Sequence, residues 1–421
     1  MMKATMKTEK INREKELILA CDVGKAKITC HAEYEGKWAG HVLDGGFMNR
    51  GREIQKNLES IAREARARGY ERLCVICESS GGFEKRLLRT ARALCNSTKY
   101  VSGEAVSKMK AVESNDNEKS DEKDPRVIHV LGMLGKVFKD RQLEPDYRKL
   151  RILGGHYEDE SVAAARVRTA ISSIADRLFP DLEFNSKLLY GNTGCALVKL
   201  FGLNPWKIID AGYGSFVKKM RGMTRADKMV LDKIWKGAES STLQIIDEWE
   251  VEIYERRLAE LYAEWELHKG RKECMRKEML EIYRQLPEAG KLSHVGKGLE
   301  FQFARILAET GNPGDFKDAR QILRYAGLNI RRRASGKYEG HNKISKKGRS
   351  LLRKVLYQCV FSSLICKGGI YHDYYQRKKK ELASGMKAIV AVMRKALKMI
   401  YGIAVSETEF SVERVFICNA A

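Results

Sequence analysis

The sequence predicts an α/β N-terminal domain, a long helical coiled-coil middle and a mostly α-helical C-terminal domain. Three observations predict it. Between residues 16 and 101, short apolar, β-prone runs alternate with amphipathic stretches of helical length. From Val251 to Leu286, apolar positions recur at alternating spacings of three and four, the heptad pattern of a coiled coil. After Pro287 the apolar stretches have helical length and strand-like runs are missing. At roughly 150 residues per domain, 421 residues suggest two or three domains, with boundaries at 14–150, 151–290 and 291–421.

The elements follow in order. Glu16 to Val23 is an apolar run that reads as a buried strand, followed by strands over Ala26 to Tyr34 and Trp38 to Leu43. Asn49 to Tyr70 reads as a helix with an inward stripe at Ile54, Leu58, Ile61 and Ala65. Arg72 to Cys77 is a further strand, Phe83 to Leu94 a helix, and Thr98 to Val101 a strand. Three strands, helix, strand, helix, strand fit an open sheet with an antiparallel hairpin at its start. Glu113 to Asp124 is acid-rich and reads as a mobile polar loop; Asp124-Pro125 then suits the cap and first position of a helix. Glu160 to Phe179 is alanine-rich and helical. The heptad seam runs through Val251, Tyr254, Leu258, Leu261, Trp265, His268, Lys272, Met275, Met279, Ile282 and Leu286. His268 and Lys272 weaken its middle, so the pairing is local or antiparallel, or the helix packs in a bundle within the chain. Leu299 to Glu309, Phe316 to Leu328, Leu351 to Cys366 and Ala388 to Tyr401 read as the C-terminal helices.

Charge narrows the function. The net charge is +23, and +17 of it lies between Gln321 and Ile400, where 20 Lys or Arg face three acids. Solvated faces normally mix both signs, so this segment reads as a surface for a polyanion, nucleic acid first. Tyr325, Tyr338, Tyr357, Tyr371, Tyr374 and Tyr375 lie among the cations and offer faces for bases. The longest apolar stretch, Val355 to Cys366, has 12 residues against the ~20 a membrane span needs. The N-terminus has no apolar core and reads as no secretory signal. Ten scattered cysteines form no disulfide framework and suit a reducing, cytoplasmic compartment.

Three constellations could carry chemistry. Asp22 ends the first strand and Glu78 the fourth; if those strands are parallel neighbours, both acids emerge at one sheet edge. Asp121 and Asp124, three apart, can share a helix face. Such carboxylates make a hard oxygen site for Mg²⁺, although Asp22 also reads as a turn residue and Asp124 as a cap. Ser335-Gly336 follows Arg331-Arg332-Arg333, a nucleophile beside phosphate-binding cations, and by itself also an ordinary turn. Gly296-Lys297-Gly298 before a helix fits a helix-hairpin-helix turn that presents backbone N–H groups to phosphate, and equally a simple turn. Cys74 and Cys77 have zinc-like spacing but point to opposite faces of a strand. The eight histidines show no paired spacing, and Cys30-His31 reads as an ordinary strand pair.

Taken together and in order, these features resemble the insertion-sequence transposases that join an N-terminal RuvC-like DEDD domain to a C-terminal serine transposase domain. These are the bridge-RNA-guided recombinases, relatives of the pilin-gene invertases. The residues that carry the resemblance are Leu17 to Lys25, Val75 to Gly81, Lys119 to Asp124, Arg177 to Pro180, Phe316 to Leu328, Ser335-Gly336, and Ile344 to Gly348 with Leu352-Arg353 and Leu356-Tyr357 behind them. Ser293-His294-Val295-Gly296 departs from the family's Pro-Gly turn.

The resemblance implies an RNase H/RuvC-like fold for the first domain. Asp22, Glu78, Asp121 and Asp124 would hold Mg²⁺, and Ser335 would form a covalent phosphoserine–DNA intermediate. Arg331, Arg332, Arg333, Gly336, Lys343, Lys346, Lys347, Arg349, Arg353, Gly296, Lys297 and Gly298 would contact nucleic acid. Target and donor DNA would pair with a structured noncoding guide RNA. Subunits would assemble as a dimer to tetramer, partly through the coiled coil, in the prokaryotic cytoplasm at the nucleoid and without a membrane. Two other readings stay open: a metal-dependent nuclease or junction resolvase of RuvC type, and an inactive transposase-derived nucleic-acid-binding protein.

Overall fold

The computed structural model describes residues 11–35, 39–114, 123–182, 185–243, 247–296, 298–335 and 338–406. The chain divides into two compact units, one made of Met1–Arg148 with Leu286–Ala421, the other of Lys149–Gln285.

The first unit is built on a sheet. β1 (Glu16–Val23), β2 (Lys27–Tyr34) and β3 (His41–Met48) form an antiparallel meander. α1 (Gly51–Ala67) leads to β4 (Arg72–Glu78), and α2 (Glu84–Ala93) to β5 (Ser97–Val101). α3 (Gly103–Ser114) and α4 (Lys123–Met133) precede the short β6 (Phe138–Lys139). The strand order is β3-β2-β1-β4-β5-β6, with β4 parallel to both β1 and β5.

Period-two alternation gives the sheet two cores. Leu17, Leu19, Cys21, Leu73, Val75 and Cys77 face α1 and α2, meeting Ile54, Leu58, Leu87 and Leu88. Ile18, Ala20, Cys74 and Ile76 face the other way, against Val127, Ile128 and Leu131 of α4. Cys74 and Cys77 therefore lie in different cores, and burial pushes the Cys74 thiol up to about 12.

One expectation is corrected in this sheet. β3 runs over His41–Met48 instead of Trp38 to Leu43, and Trp38 lies outside the described residues. Gly45 and Gly46 pair with Cys30 and Thr29 of β2 within the hairpin. A Cβ on Gly46 would lie 3.1 Å from the Ile28 carbonyl oxygen, a tighter contact than most side chains make. The helix α3 adds an element to those read from the sequence.

The second unit is helical. It comprises α5 (Pro145–Leu178) from Lys149 onward, α6 (Ser186–Leu189), α7 (Asn192–Phe201), α8 (Pro205–Asp210), α9 (Tyr213–Met223), α10 (Lys228–Ser241) and α11 (Glu248–Arg284), the first turn of α5 belonging to the first unit. The first half of the heptad seam is covered by its own chain: Val251, Leu258, Leu261 and Trp265 join a core with Ile171, Leu178, Leu197 and Phe216. α5 and α11 run antiparallel, because Arg177 bonds Tyr254 while Glu160 pairs with His268 and Tyr157 meets Lys272. The polar residues in mid-seam thus meet polar and aromatic partners inside the chain.

The C-terminal part of the first unit holds α12 (Pro287–Ser293), α13 (Glu300–Thr310), α14 (Ala319–Ala326), β7 (Ile330–Ser335), β8 (Tyr338–Ile344), α15 (Ser350–Cys359), α16 (His372–Leu382) and α17 (Gly385–Val405). α14 starts later than Phe316 because Asp318 caps it, accepting from Gln321 N at 2.7 Å. Phe316 is extended and buried, with Arg141 4.5 Å above its ring. Arg141 also donates to Asp315 and to the Asn312 carbonyl, each at 2.7 Å, and Tyr147 donates to Glu288 at 2.8 Å. These bonds lock the segment after the sheet onto the C-terminal helices. No helix among the described residues is long and apolar enough to cross a membrane.

Candidate active site

The carboxylates gather because of strand register. β1 and β4 are parallel, with Cys21 beside Cys77, so the next residues, Asp22 and Glu78, leave the sheet side by side. Both lie on the face covered by α4, in phase with Ile18 and Ala20 and with Cys74 and Ile76. α4 lies tight on that face at Gly132, where a Cβ would come within 2.7 Å of Ile76 Cδ1. A glycine within a helix costs roughly 0.5–1 kcal/mol, and here it permits the close approach. Asp124 stands in the first turn of α4 as part of the helix and forms an ion pair with Lys110 of α3.

The three acids interact. The half-buried Glu78 carboxyl is pushed up first by burial, then by the Asp22 carboxylate, and further by Asp124, while Lys110 pulls it down. A carboxyl under that repulsion is a group that a divalent cation relieves. Hard oxygen donors on three separate elements, with an ammonium already among them, fit a Mg²⁺-type ion. Asp121 lies outside the described residues.

Several residues that sequence reasoning missed position this set. Gly103 opens α3 directly against Glu78, where any Cβ would overlap the carboxylate. Buried Asn49 ties two loops together, donating to the Gly24 carbonyl after β1 at 2.9 Å and to the Phe83 carbonyl at 3.3 Å. Glu84 accepts from the Ser80 and Gly82 amides at 3.2 and 2.9 Å and so shapes the loop after Glu78. The pattern Cys77-Glu78-Ser79-Ser80-Gly81 advertised the acid but not these braces.

Ser335 is the last residue of β7 and pairs with Tyr338, at the tip of the β7–β8 hairpin. Only Gly336 and Lys337 separate the two strands. Gly336 lies outside the described residues, as does Lys297. Arg331, opposite Lys343, precedes a bulge that carries the strand through Arg332 to Arg333. Gly296 and Gly298 lie between α12 and α13, Gly298 with φ of 77°.

The basic side chains divide into two groups. Arg331, Lys343 and Lys346 are exposed. Lys347, Arg349 and Arg353 are engaged within the chain. Arg349 holds the buried Glu309 through Nε at 2.7 Å and Nη2 at 3.2 Å. Arg353 donates to the Ala326 carbonyl at 2.9 Å. Lys347 pairs with Glu104, the neighbour of Gly103, and with Lys108 holds that carboxyl down to about 2. The base of the serine hairpin is therefore moored to α3, next to the residue against which Glu78 rests.

A sheet edge that gathers acids, joined to a basic helical region, is the arrangement that a metal-dependent enzyme acting on a phosphate polymer would need. Two family models match parts of the chain. Residues 19–180 match a DEDD-type IS110 transposase model, and residues 300–376 match the model described as Transposase IS116/IS110/IS902 family. The chain thus carries IS110-type transposase domains, and the protein is a transposase, a DNA recombinase whose substrate is DNA. The DEDD-type domain implies dependence on a divalent metal. Among proteins of curated function, none matches the chain.

Proposed function

We propose that the protein cuts and rejoins DNA through a covalent phosphoserine intermediate, with Mg²⁺ held by Asp22, Glu78, Asp124 and Asp121. The observation that carries this reading is the convergence of Asp22 and Asp124 on Glu78 in a chain whose C-terminal transposase domain bears Ser335 on a basic hairpin. Bound Mg²⁺ would supply positive charge to the scissile phosphate. The Ser335 oxygen attacks phosphorus and its hydroxyl gives up a proton. The bond to the displaced sugar oxygen breaks and that oxygen takes a proton. Attack by a second sugar hydroxyl reverses the step, so ends rejoin without an outside energy source. Arg331, Lys343 and Lys346 hold the backbone, and a structured noncoding RNA pairs with target and donor DNA, so that sequence is read by base pairing. Subunits act as a dimer to tetramer, with the carboxylates of one completing the serine site of another.

The test is a denaturing gel with labelled DNA and the co-purifying RNA. A protein–DNA adduct forms with Mg²⁺ and disappears in Ser335→Ala and in Asp22→Asn. Mixing the two inactive variants restores it if the site is shared between subunits. An adduct that survives Ser335→Ala removes the nucleophile assignment, and sequencing that finds no discrete RNA removes the guide.

A further inference from the structure

A second cluster of ligand-type side chains lies on the α4 face of the sheet, where His31 pairs with Ala20, two residues before Asp22. His31 and Glu33 alternate on β2, so both point to this face, and Asp44 of β3 is directly paired with His31. His129 comes down from α4 above them. The two imidazole rings meet edge to face with centroids 5.2 Å apart. His31 and His129 are 3% and 1% exposed. The Glu33 side chain is half exposed and leaves one side open to water.

The hydrogen bonding is uneven. His31 Nδ1 lies 2.6 Å from Asp44 Oδ1, and Nε2 lies 3.0 Å from Glu33 Oε1. Arg126 donates to the other Asp44 oxygen at 2.8 Å. The two carboxylates satisfy the ring nitrogens of His31 alone. They leave His129 Nε2, which is buried and has no hydrogen-bond partner among the described residues. A buried ring nitrogen without a partner costs free energy unless something else satisfies it.

We propose that His31, Glu33 and His129 form a second metal site, for a borderline divalent ion of the Zn²⁺ class. The ligand atoms already lie within 4.8 Å of one another. Two donors on one tetrahedral ion stand about 3.3 Å apart, given bonds near 2.0–2.1 Å. The present His31–Glu33 separation of 3.0 Å is close to that edge, and His129 closes the rest by a side-chain movement on the order of an ångström. Asp44 then holds the Nδ1–H of His31, as the carboxylate in a carboxylate–histidine–metal triad does. Two histidines and one carboxylate on the buried side, with water on the open side, is the donor set of a four-coordinate site. Burial beside His31 lowers His129 to about 4, so its ring is neutral and ready to ligate near pH 7. The consequence is mechanical. The ion would pin α4, which bears Asp124, to β2, the neighbour of the strand that bears Asp22.

Co²⁺ is the probe, added to full-length, metal-stripped protein without Mg²⁺. The wild type develops the strong visible bands of four-coordinate cobalt at one ion per chain. His129→Phe, which keeps a flat aromatic ring but has no ring nitrogen, abolishes them. Glu33→Gln, at an exposed position where folding is not at risk, weakens Co²⁺ binding at least ~10-fold, and Asp44→Asn weakens it ~10–100-fold. Asp22→Asn and Glu78→Gln leave the spectrum unchanged, which separates this site from the DNA-cutting one. The proposal is overturned if the wild type shows no such bands, if they persist in both Glu33→Gln and His129→Phe, or if Asp22→Asn removes them.

Discussion

The two charged regions of this protein keep their charge in opposite ways. At the sheet edge the acids are few, and they are gathered: Asp22 and Asp124 both act on Glu78. In the C-terminal region the cations are many, and they are dispersed between two jobs. Lys347, Arg349 and Arg353 are bound to groups of their own chain, whereas Arg331, Lys343 and Lys346 face solvent. A charge count finds a region but does not say which members are free. Only packing does, because a buried acid such as Glu309 must take a cation from somewhere.

The largest expected effect separates the two groups of cations. Arg349→Ala takes from the Glu309 carboxylate, 3% exposed, the guanidinium that binds it through two nitrogens. Removing one member of a buried pair costs about 3–5 kcal/mol. Denaturant unfolding of Arg349→Ala shows that loss, and Lys343→Ala stays within about 0.5 kcal/mol of the wild type. Equal stability of the two variants would erase the distinction between internal brace and free cation.

The next effect concerns the acids. Gly103→Ala puts a methyl group where the Glu78 carboxylate lies, so Glu78 must move. A displacement of about 1 Å in a catalytic group can cost ~100-fold in rate. Metal-dependent DNA cleavage should fall by that order, while unfolding of the metal-free protein hardly changes. Cleavage at the wild-type rate would mean that Gly103 does not set the position of Glu78.

A smaller effect belongs to the free cations. Each phosphate contact contributes about 0.9 to the slope of log affinity against log salt. Lys343→Ala and Arg331→Ala should each lower the slope for DNA binding by about that much, measured by fluorescence anisotropy over a salt series. Arg353→Ala, whose guanidinium already serves the Ala326 carbonyl, should leave the slope unchanged.

These contrasts mark what the sequence made legible. The sheet was readable because apolar runs such as Leu17 to Cys21 and Leu73 to Cys77 lead directly into acids, and a parallel pair brings those ends together. The β7–β8 hairpin was not, since Ile330–Ser335 is dominated by arginines and Tyr338–Ile344 has no apolar alternation. The braces were equally hidden. Gly103, Asn49 and Lys110 act through contacts distant in sequence, and a glycine or asparagine in a loop reads as a turn whatever it supports. His31 and His129 show the same limit, because no local spacing links a strand residue to a helix so far along the chain.

The smallest effect is a linkage between pH and stability, and it tests whether the acids are gathered before metal arrives. The Glu78 carboxyl is raised in the folded chain, so folded protein holds that proton at pH values where unfolded protein has released it. Stability contributed by this group is fully present below the ordinary glutamate range and is lost as pH rises through the raised value. In metal-free protein, Glu78→Gln should therefore match the wild type near pH 4 and exceed it at neutral pH, as read by thermal unfolding at each pH. Lys110 pulls the Glu78 value down, so Lys110→Met should widen that gap by leaving the carboxylates without their ammonium. Saturating Mg²⁺ should reverse the order at neutral pH, because the ion binds only the ionised acids and stabilises the state that holds them. A gap that is the same at every pH would mean that Glu78 feels neither its neighbours nor the metal.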